Sequence, residues 1–255
     1  MGTTLGMLGG GGSILTVPIL VYLFEISPVL ATAYSLFVVG LASLVGSVSY
    51  MRQELVNFKA GLVFALPAFL GVFAARRFLI PNLPEVIFDL ESFTLSKDLL
   101  IMLVFSVVMI LASVSMIRKG KPKHEENTEL QFNYSMIALE GLIVGGVTGF
   151  IGAGGGFLIV PALVLLAGLP IKQAIGTSLM IIAAKSLLGF LGDLNPSQQI
   201  DWSFLFLFSS LSIFGILIGT YLNRFVEASK LKPAFGWFVL LMGSAILLKE
   251  TAGSF

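Results

Sequence analysis

Apolar residues run along this chain in long blocks, not in the alternation of a half-buried strand or the single stripe of a soluble helix. The blocks cover about 14–24, 28–50, 60–80, 98–117, 134–168, 170–192, 202–223 and 231–248, each bounded by charge or by proline and glycine. Most approach the roughly 20 residues a helix needs to cross a bilayer core. The pattern predicts about eight helical elements and an all-α, polytopic helical membrane protein. Three connections are polar, at 52–59, 81–98 and 118–133. The last reads RKGKPKHEENTELQFN and is the most hydrophilic stretch, dividing the chain into nearly equal halves. The organisation expected is a first membrane repeat at 1–117, a polar linker at 118–133 and a second membrane repeat at 134–255, each repeat with about four helical elements.

A direct comparison of the halves supports duplication. A shift of 143 residues places Gly9, Gly11, Gly12, Val17 and Pro18 on Gly152, Gly154, Gly155, Val160 and Pro161. The same shift places Ala31, Ser35, Leu36, Ser43 and Gly46 on Ala174, Ser178, Leu179, Ser186 and Gly189. About 15 of 38 aligned positions are identical, and the glycines, proline and serines carry the weight because leucine matches are common in any membrane protein. One inserted residue later, Asn57 and Phe58 meet Asp201 and Trp202, and Gly71 meets Gly215. The copies differ at their starts: 134–151 offers a full helix before the second glycine cluster, whereas only 1–8 precede the first. Either the first helix is a stub or the true start lies upstream.

Composition narrows the function. Apolar residues make up 56% and charged residues 11%, against about 25% charged in soluble domains. The net charge is +1, with basic residues at the ends of apolar blocks, so nucleic acid is not an expected partner. Cysteine is absent, which excludes disulfides, thiolate metal sites and thiol relays. His124, the single histidine, lies in the linker, so neither a histidine-rich metal centre nor a Ser-His-Asp triad can be assembled. No enzyme activity, metal or cofactor is expected. No basic stretch opens the chain as in a cleavable signal, so insertion rests on the first spans themselves.

The strongest functional signal is the pair GMLGGGGSILTVP at 6–18 and GFIGAGGGFLIVP at 149–161. Each glycine in a helix costs about 1 kcal/mol relative to alanine, and unwound backbone at membrane depth must be buried in protein or line a cavity. Paired breaks at equivalent positions of two halves point to a transporter binding site. A helix restarting near Ser13, and again near Phe157, presents free N–H groups and a positive dipole end, which favour an anion. Pro18 and Pro161, five residues into each second leg, remove a further donor. The competing reading is close helix packing through small residues. Neither cluster is a nucleotide motif, since the Gly-Lys-Ser/Thr of a phosphate loop is missing.

Candidate binding groups follow: backbone N–H donors of Gly10, Gly11, Gly12 and Ser13 and of Gly154, Gly155 and Gly156, with hydroxyls from Ser35 and Ser178, near Thr32 and Thr177. Serine hydroxyls also bond back to their own helix, which requires no function. Lys185 lies deep in an apolar block, matched by Ala42 in the first half, and is a candidate for charge compensation or proton exchange; snorkelling past the end of its span is the alternative. Asn57 and Asp201 read as helix N-caps, and Trp202 and Trp237 as interface anchors.

Orientation is open. Arg118, Lys119, Lys121 and Lys123 place the linker in the cytoplasm by the positive-inside rule. If each glycine segment crosses the membrane once, the halves are parallel and Arg224, Lys230 and Lys232 lie outside; if each is a re-entrant hairpin, the halves are inverted and that cluster lies inside. Arg76, Arg77 and Lys97 lie outside in both.

Taken together, Gly9–Pro18 with ATAYSL at 31–36, and Gly152–Pro161 with AIGTSL at 174–179, resemble the sulfite exporter TauE/SafE family, marked by two copies of a motif close to G-x-GGG-x-L-x-x-P followed by A-x-x-x-SL. The resemblance covers nearly the whole chain. It implies a multi-pass bacterial inner-membrane carrier exporting small sulfur-containing anions such as sulfite, sulfoacetate and other organosulfonates. Two departures stand out: Ser13 replaces the glycine matching Gly156, and the first helix is short. With no ATP-binding element in the chain, an ion gradient (H⁺ or Na⁺) or the substrate's own gradient would drive alternating access. The alternatives are an anion channel on the same repeats and a membrane scaffold subunit that transports nothing. The particular anion, the direction, the coupling ion and the oligomeric state are not legible in the residues.

Overall fold

The structure is a computed structural model that describes residues 1–9, 11–90, 93–117, 134–165, 167–194, 200–223 and 228–252. Gly10 and the polar linker at 118–133 lie outside the described residues. In chain order the elements are α1 (Gly2–Leu8), a 3₁₀ turn (Gly11–Leu15), α2 (Thr16–Tyr22), α3 (Pro28–Met51) and α4 (Phe58–Ala74). A π-helical turn (Ala75–Leu79) carries α4 into α5 (Ile80–Asn82), and a hairpin of β1 (Val86–Leu90) and β2 (Phe93–Ser96) precedes α6 (Lys97–Ile117). Then follow α7 (Tyr134–Ile151), α8 (Gly156–Leu165), α9 (Ile171–Phe190) with a 3₁₀ turn (Leu191–Asp193), α10 (Trp202–Leu222) and α11 (Ala228–Ala252).

The fold is helical, as the apolar blocks predict, and among the described residues strand occurs only in the short antiparallel hairpin within the polar connection at 81–98. Among the described residues six stretches are long and apolar enough to cross a membrane: Pro28–Met51, Phe58–Asn82, Lys97–Val114, Ile171–Asp193, Trp202–Leu222 and Pro233–Ala252. Their outer faces stay apolar, with Leu66, Leu70, Leu207, Leu211, Phe214 and Leu241 all exposed. A surface of that extent would aggregate in water and is stable only against lipid. The protein is a multi-pass membrane protein. Polar side chains do start two of the spans: Asn57 accepts a hydrogen bond from the Ala60 N–H at 3.0 Å and Asp201 one from the Phe204 N–H at 3.0 Å, so both are N-caps.

The helices of one half pack on those of the other: α1 on α10, α4 on α7, α3 on α9 and α6 on α11. Glycine sets the closeness of several of these pairs. A β-carbon added to Gly219 would strike the Thr3 carbonyl, one on Gly145 would strike the Ala68 carbonyl, and one on Gly141 would sit 2.6 Å from the Phe64 oxygen. In lipid, where helices gain nothing from hiding apolar surface, such backbone approach is a principal source of adhesion.

Direction is read from the same contacts. Gly40 packs on Leu187 and Gly46 reaches Leu179, so α3 and α9 are antiparallel. Gly236 meets Met116 and Ile117 while Gly243 meets Met109 and Ile110, so α6 and α11 are antiparallel too. The bundle therefore has one end where α3 starts and α9 finishes, the Asp193 end, and another where α3 finishes and α9 starts, the Tyr50 end.

Candidate functional site

Both glycine clusters are places where the chain turns back on itself. In the first half α1 ends at Gly9, whose left-handed backbone (φ 62°, ψ 50°) terminates the helix while its N–H still donates to the Leu5 carbonyl at 3.0 Å. Gly12 then lies against Thr4 and Leu5 of the helix just completed. In the second half α7 ends at Gly152 (φ 68°), Gly154 and Gly155 follow at φ 62° and 78°, and Gly155 lies against Thr148 of the preceding helix. Three residues at positive φ within four positions require glycine, because a β-carbon is strained there. The breaks are thus hairpin turns, the re-entrant arrangement of the two open in the sequence.

The second leg restarts differently in the two halves. α8 begins at Gly156, close to the expected Phe157, and the Leu158 and Ile159 N–H groups both donate to the Gly155 carbonyl at 3.0 Å. This leaves the Gly156 and Phe157 N–H groups outside the helix's own ladder. In the first half a 3₁₀ turn from Gly11 precedes α2 at Thr16, so Ser13 lies inside that turn and not at an α-helical start.

The two turns meet in the middle of the bundle. The Ser13 hydroxyl donates to the Ala153 carbonyl at 2.5 Å, and a β-carbon on Gly154 would be 3.1 Å from Ser13 and 2.7 Å from Val39. Each turn is also held by a serine from the other half. Ser35 on α3 donates to the Gly152 carbonyl at 2.6 Å, and Ser178 on α9 donates to the Gly9 carbonyl at 2.7 Å and to its own Ile175 carbonyl at 2.8 Å. The neighbours correspond as well: Gly9 packs on Ile175 and Gly152 on Thr32. Gly11, Gly12, Ser13, Gly154, Gly155 and Gly156 are all buried.

Lys185 is fully buried and does not snorkel to an aqueous end. Its ammonium donates to the Thr148 hydroxyl at 2.7 Å, and Thr148 is the residue against which Gly155 folds back. Lys185 thereby joins the second turn through one intermediary. The structure brings together Ser13, Gly154, Gly155 and Lys185, and sets Ser35 and Ser178 at the far sides of the two turns. A cavity of about 400 Å³ lies elsewhere, on the outer flank of α7 between Met136, Glu140, Val147 and Leu158. Its apolar, open position gives it no part in holding an ion at the turns.

Arg76 reads in the sequence as one of the external charges. In the structure it is 1% exposed and lies on the π-helical turn, with Nη1 3.1 Å from the Thr32 hydroxyl and 3.4 Å from Asp193 Oδ1. One signal was available: Gly61, Phe64, Ala65, Ala68, Val72 and Arg76 share the three-to-four spacing of a single buried helix face, whereas Arg77 does not. The Arg76 and Asp193 side chains are the closest buried ion pair among the described residues.

No solved structure matches the chain. Probable membrane transporter proteins from two strains of Xylella fastidiosa, 9a5c and Temecula1, are 28% and 27% identical, each over 99% of this chain and 93% of the relative. The probable membrane transporter protein YunE of Bacillus subtilis is 26% identical over 96% of this chain and 93% of its own length. The family model for the sulfite exporter TauE/SafE matches residues 1–246, and with its glycine turns, apolar spans and motif pair the chain belongs to that family of membrane transporters.

Proposed function

We propose that the protein is a secondary carrier for small sulfur-containing anions, sulfite or an organosulfonate, exporting them across the inner membrane by alternating access. The observation that carries this reading is the reciprocal latch, Ser35 on the Gly152 turn and Ser178 on the Gly9 turn. Each half holds the hairpin of the other, so a movement of one half displaces both turns together. Such reciprocity suits two inverted halves rocking about a shared central site.

In this reading the first N–H groups of α8 and the backbone of 10–13 receive the anion when Ser13 releases the Ala153 carbonyl. Lys185 balances its charge from beside Thr148. Orientation follows from charge. Arg52, Lys59 and Lys172 belong to the Tyr50 end, where α6 finishes before the basic stretch at 118–123 and α11 starts with Lys230 and Lys232; among the described residues the exposed Arg77 and Lys249 and the buried Lys97 mark the Asp193 end. The Tyr50 end is accordingly cytoplasmic.

The test is counterflow in proteoliposomes: vesicles loaded with unlabelled sulfite take up labelled sulfite transiently against its gradient, with saturation. Flux that rises without limit and shows no counterflow belongs to a channel. Absence of any sulfite, sulfonate or carboxylate flux, with no thermal stabilisation by those anions, belongs to a scaffold subunit.

A further inference from the structure

Arg76 and Asp193 face each other in the buried interior near the Asp193 end, and their geometry is poor for a pair meant only to hold helices together. A well-formed arginine–carboxylate contact is bidentate, with N···O near 2.8 Å. Here one contact stands at 3.4 Å, and Arg76 Nε, Arg76 Nη2 and Asp193 Oδ2 are all buried without a hydrogen-bond partner among the described residues. Buried charged groups left idle are strongly unfavourable unless something else uses them. Two adjacent free N–H directions of a guanidinium match two oxygens of an oxyanion.

The surroundings point the same way. Nη1 of Arg76 already donates to Thr32, and Thr32 is the residue packed directly on Gly152, 2.5 Å from a β-carbon placed there. Arg76 is therefore one residue removed from the second hairpin turn. At the opposite end of the bundle no buried charge takes the matching place among the described residues. There Tyr50, which the 143-residue shift aligns with Asp193, donates to the Gly6 carbonyl at 3.2 Å and accepts from Asn223.

We propose that Arg76 is an anion-coordinating residue of the carrier, and that Asp193 occupies its guanidinium only while the anion is absent. This deepens the carrier reading and rests on it. An oxyanion with three oxygens on sulfur places two of them on Nε and Nη2, the edge that Asp193 leaves free, and its negative charge there draws the guanidinium off the long Nη1 contact and repels the carboxylate, so binding loosens the tie between the turn after α4 and the turn after α9. The anion's arrival and the freeing of a bundle element thereby become one event.

The experiment uses the full-length protein in detergent and in proteoliposomes, with sulfite and sulfoacetate as probes. Asp193→Asn removes the competitor and is expected to tighten sulfite binding about tenfold, whereas Arg76→Gln combined with Asp193→Asn, which replaces the ion pair by a neutral one, is expected to weaken it at least about tenfold. Thermal unfolding of each variant reports folding. Two results overturn the proposal: a folded double variant that binds and exchanges sulfite like the parent protein, or an Asp193→Asn variant that loses affinity as far as the double variant does. If the parent protein itself neither binds nor exchanges either anion, the carrier reading has failed instead.

Discussion

Ser178 donates its hydroxyl to the carbonyl of Gly9, 169 positions earlier in the chain and 2.7 Å away in space. The bond matters because Gly9 has left helical geometry, and its carbonyl, buried in an apolar bundle, would otherwise be short of a donor. Ser35 performs the same service for Gly152 at 2.6 Å. Reciprocal bonds of this kind make the two hairpin turns parts of one mechanical unit.

Ser35→Ala and Ser178→Ala are each expected to lose about 1 to 3 kcal/mol of stability, the penalty for an unsatisfied buried carbonyl. Both variants are expected to insert normally and to lower sulfite counterflow. Thermal unfolding in detergent beside flux measurement checks this; unchanged flux in both single variants would remove the latch.

The glycines of the turns are predicted to be unequal. A β-carbon on Gly11 would find its nearest neighbours, Leu8 and Met116, at 3.4 and 3.6 Å, an ordinary contact distance, so Gly11→Ala retains transport. Gly155 has φ 78° and abuts Thr148, and Gly154 has φ 62° with Val39 at 2.7 Å, so Gly155→Ala and Gly154→Val abolish it. Flux assays on protein of verified insertion separate the two classes.

Lys185→Met exchanges a buried ammonium for an apolar chain of similar length. Removing a buried charge that has no carboxylate partner among the described residues is expected to leave stability equal or higher, by up to a few kcal/mol, while counterflow falls at least tenfold. Thr148→Val, which leaves the ammonium without its hydroxyl, destabilises. Full transport by Lys185→Met would deprive the residue of a role in the carrier.

Helix contacts across the halves supply a stability prediction free of the site. Gly219→Leu on α10 and Gly145→Leu on α7 drive a side chain into the Thr3 and Ala68 backbones and are expected to prevent accumulation of folded protein. Leu66→Ala and Leu207→Ala, at 64% and 65% exposed on the lipid-facing surface, stay within about 0.5 kcal/mol of the parent. Comparison of folded yields by fluorescence-detected size exclusion tests the contrast.

Much of the architecture is legible in the residues alone. The spans follow from apolar length, the caps from Asn57 and Asp201, and the backbone breaks from glycines whose expense in lipid requires a purpose. Each of these is a local property, carried by the composition of one short segment and by the demand that buried backbone be hydrogen-bonded. Arg76 shows where local reading stops. Beside Arg77, near the end of an apolar block, it looks like an external charge; helical phase turns it inward, and only the arrival of Thr32 from α3 and Asp193 from the turn after α9 gives it neighbours. The serines behave similarly, since Ser35 and Ser178 find acceptors 117 and 169 positions away. That the glycine segments fold back is likewise decided by the packing of Gly12 on Thr4 and of Gly155 on Thr148. Hydrophobicity and backbone strain are written residue by residue along the chain, but the pairing of polar groups depends on which distant helix is packed alongside, and that is settled only by assembling the bundle.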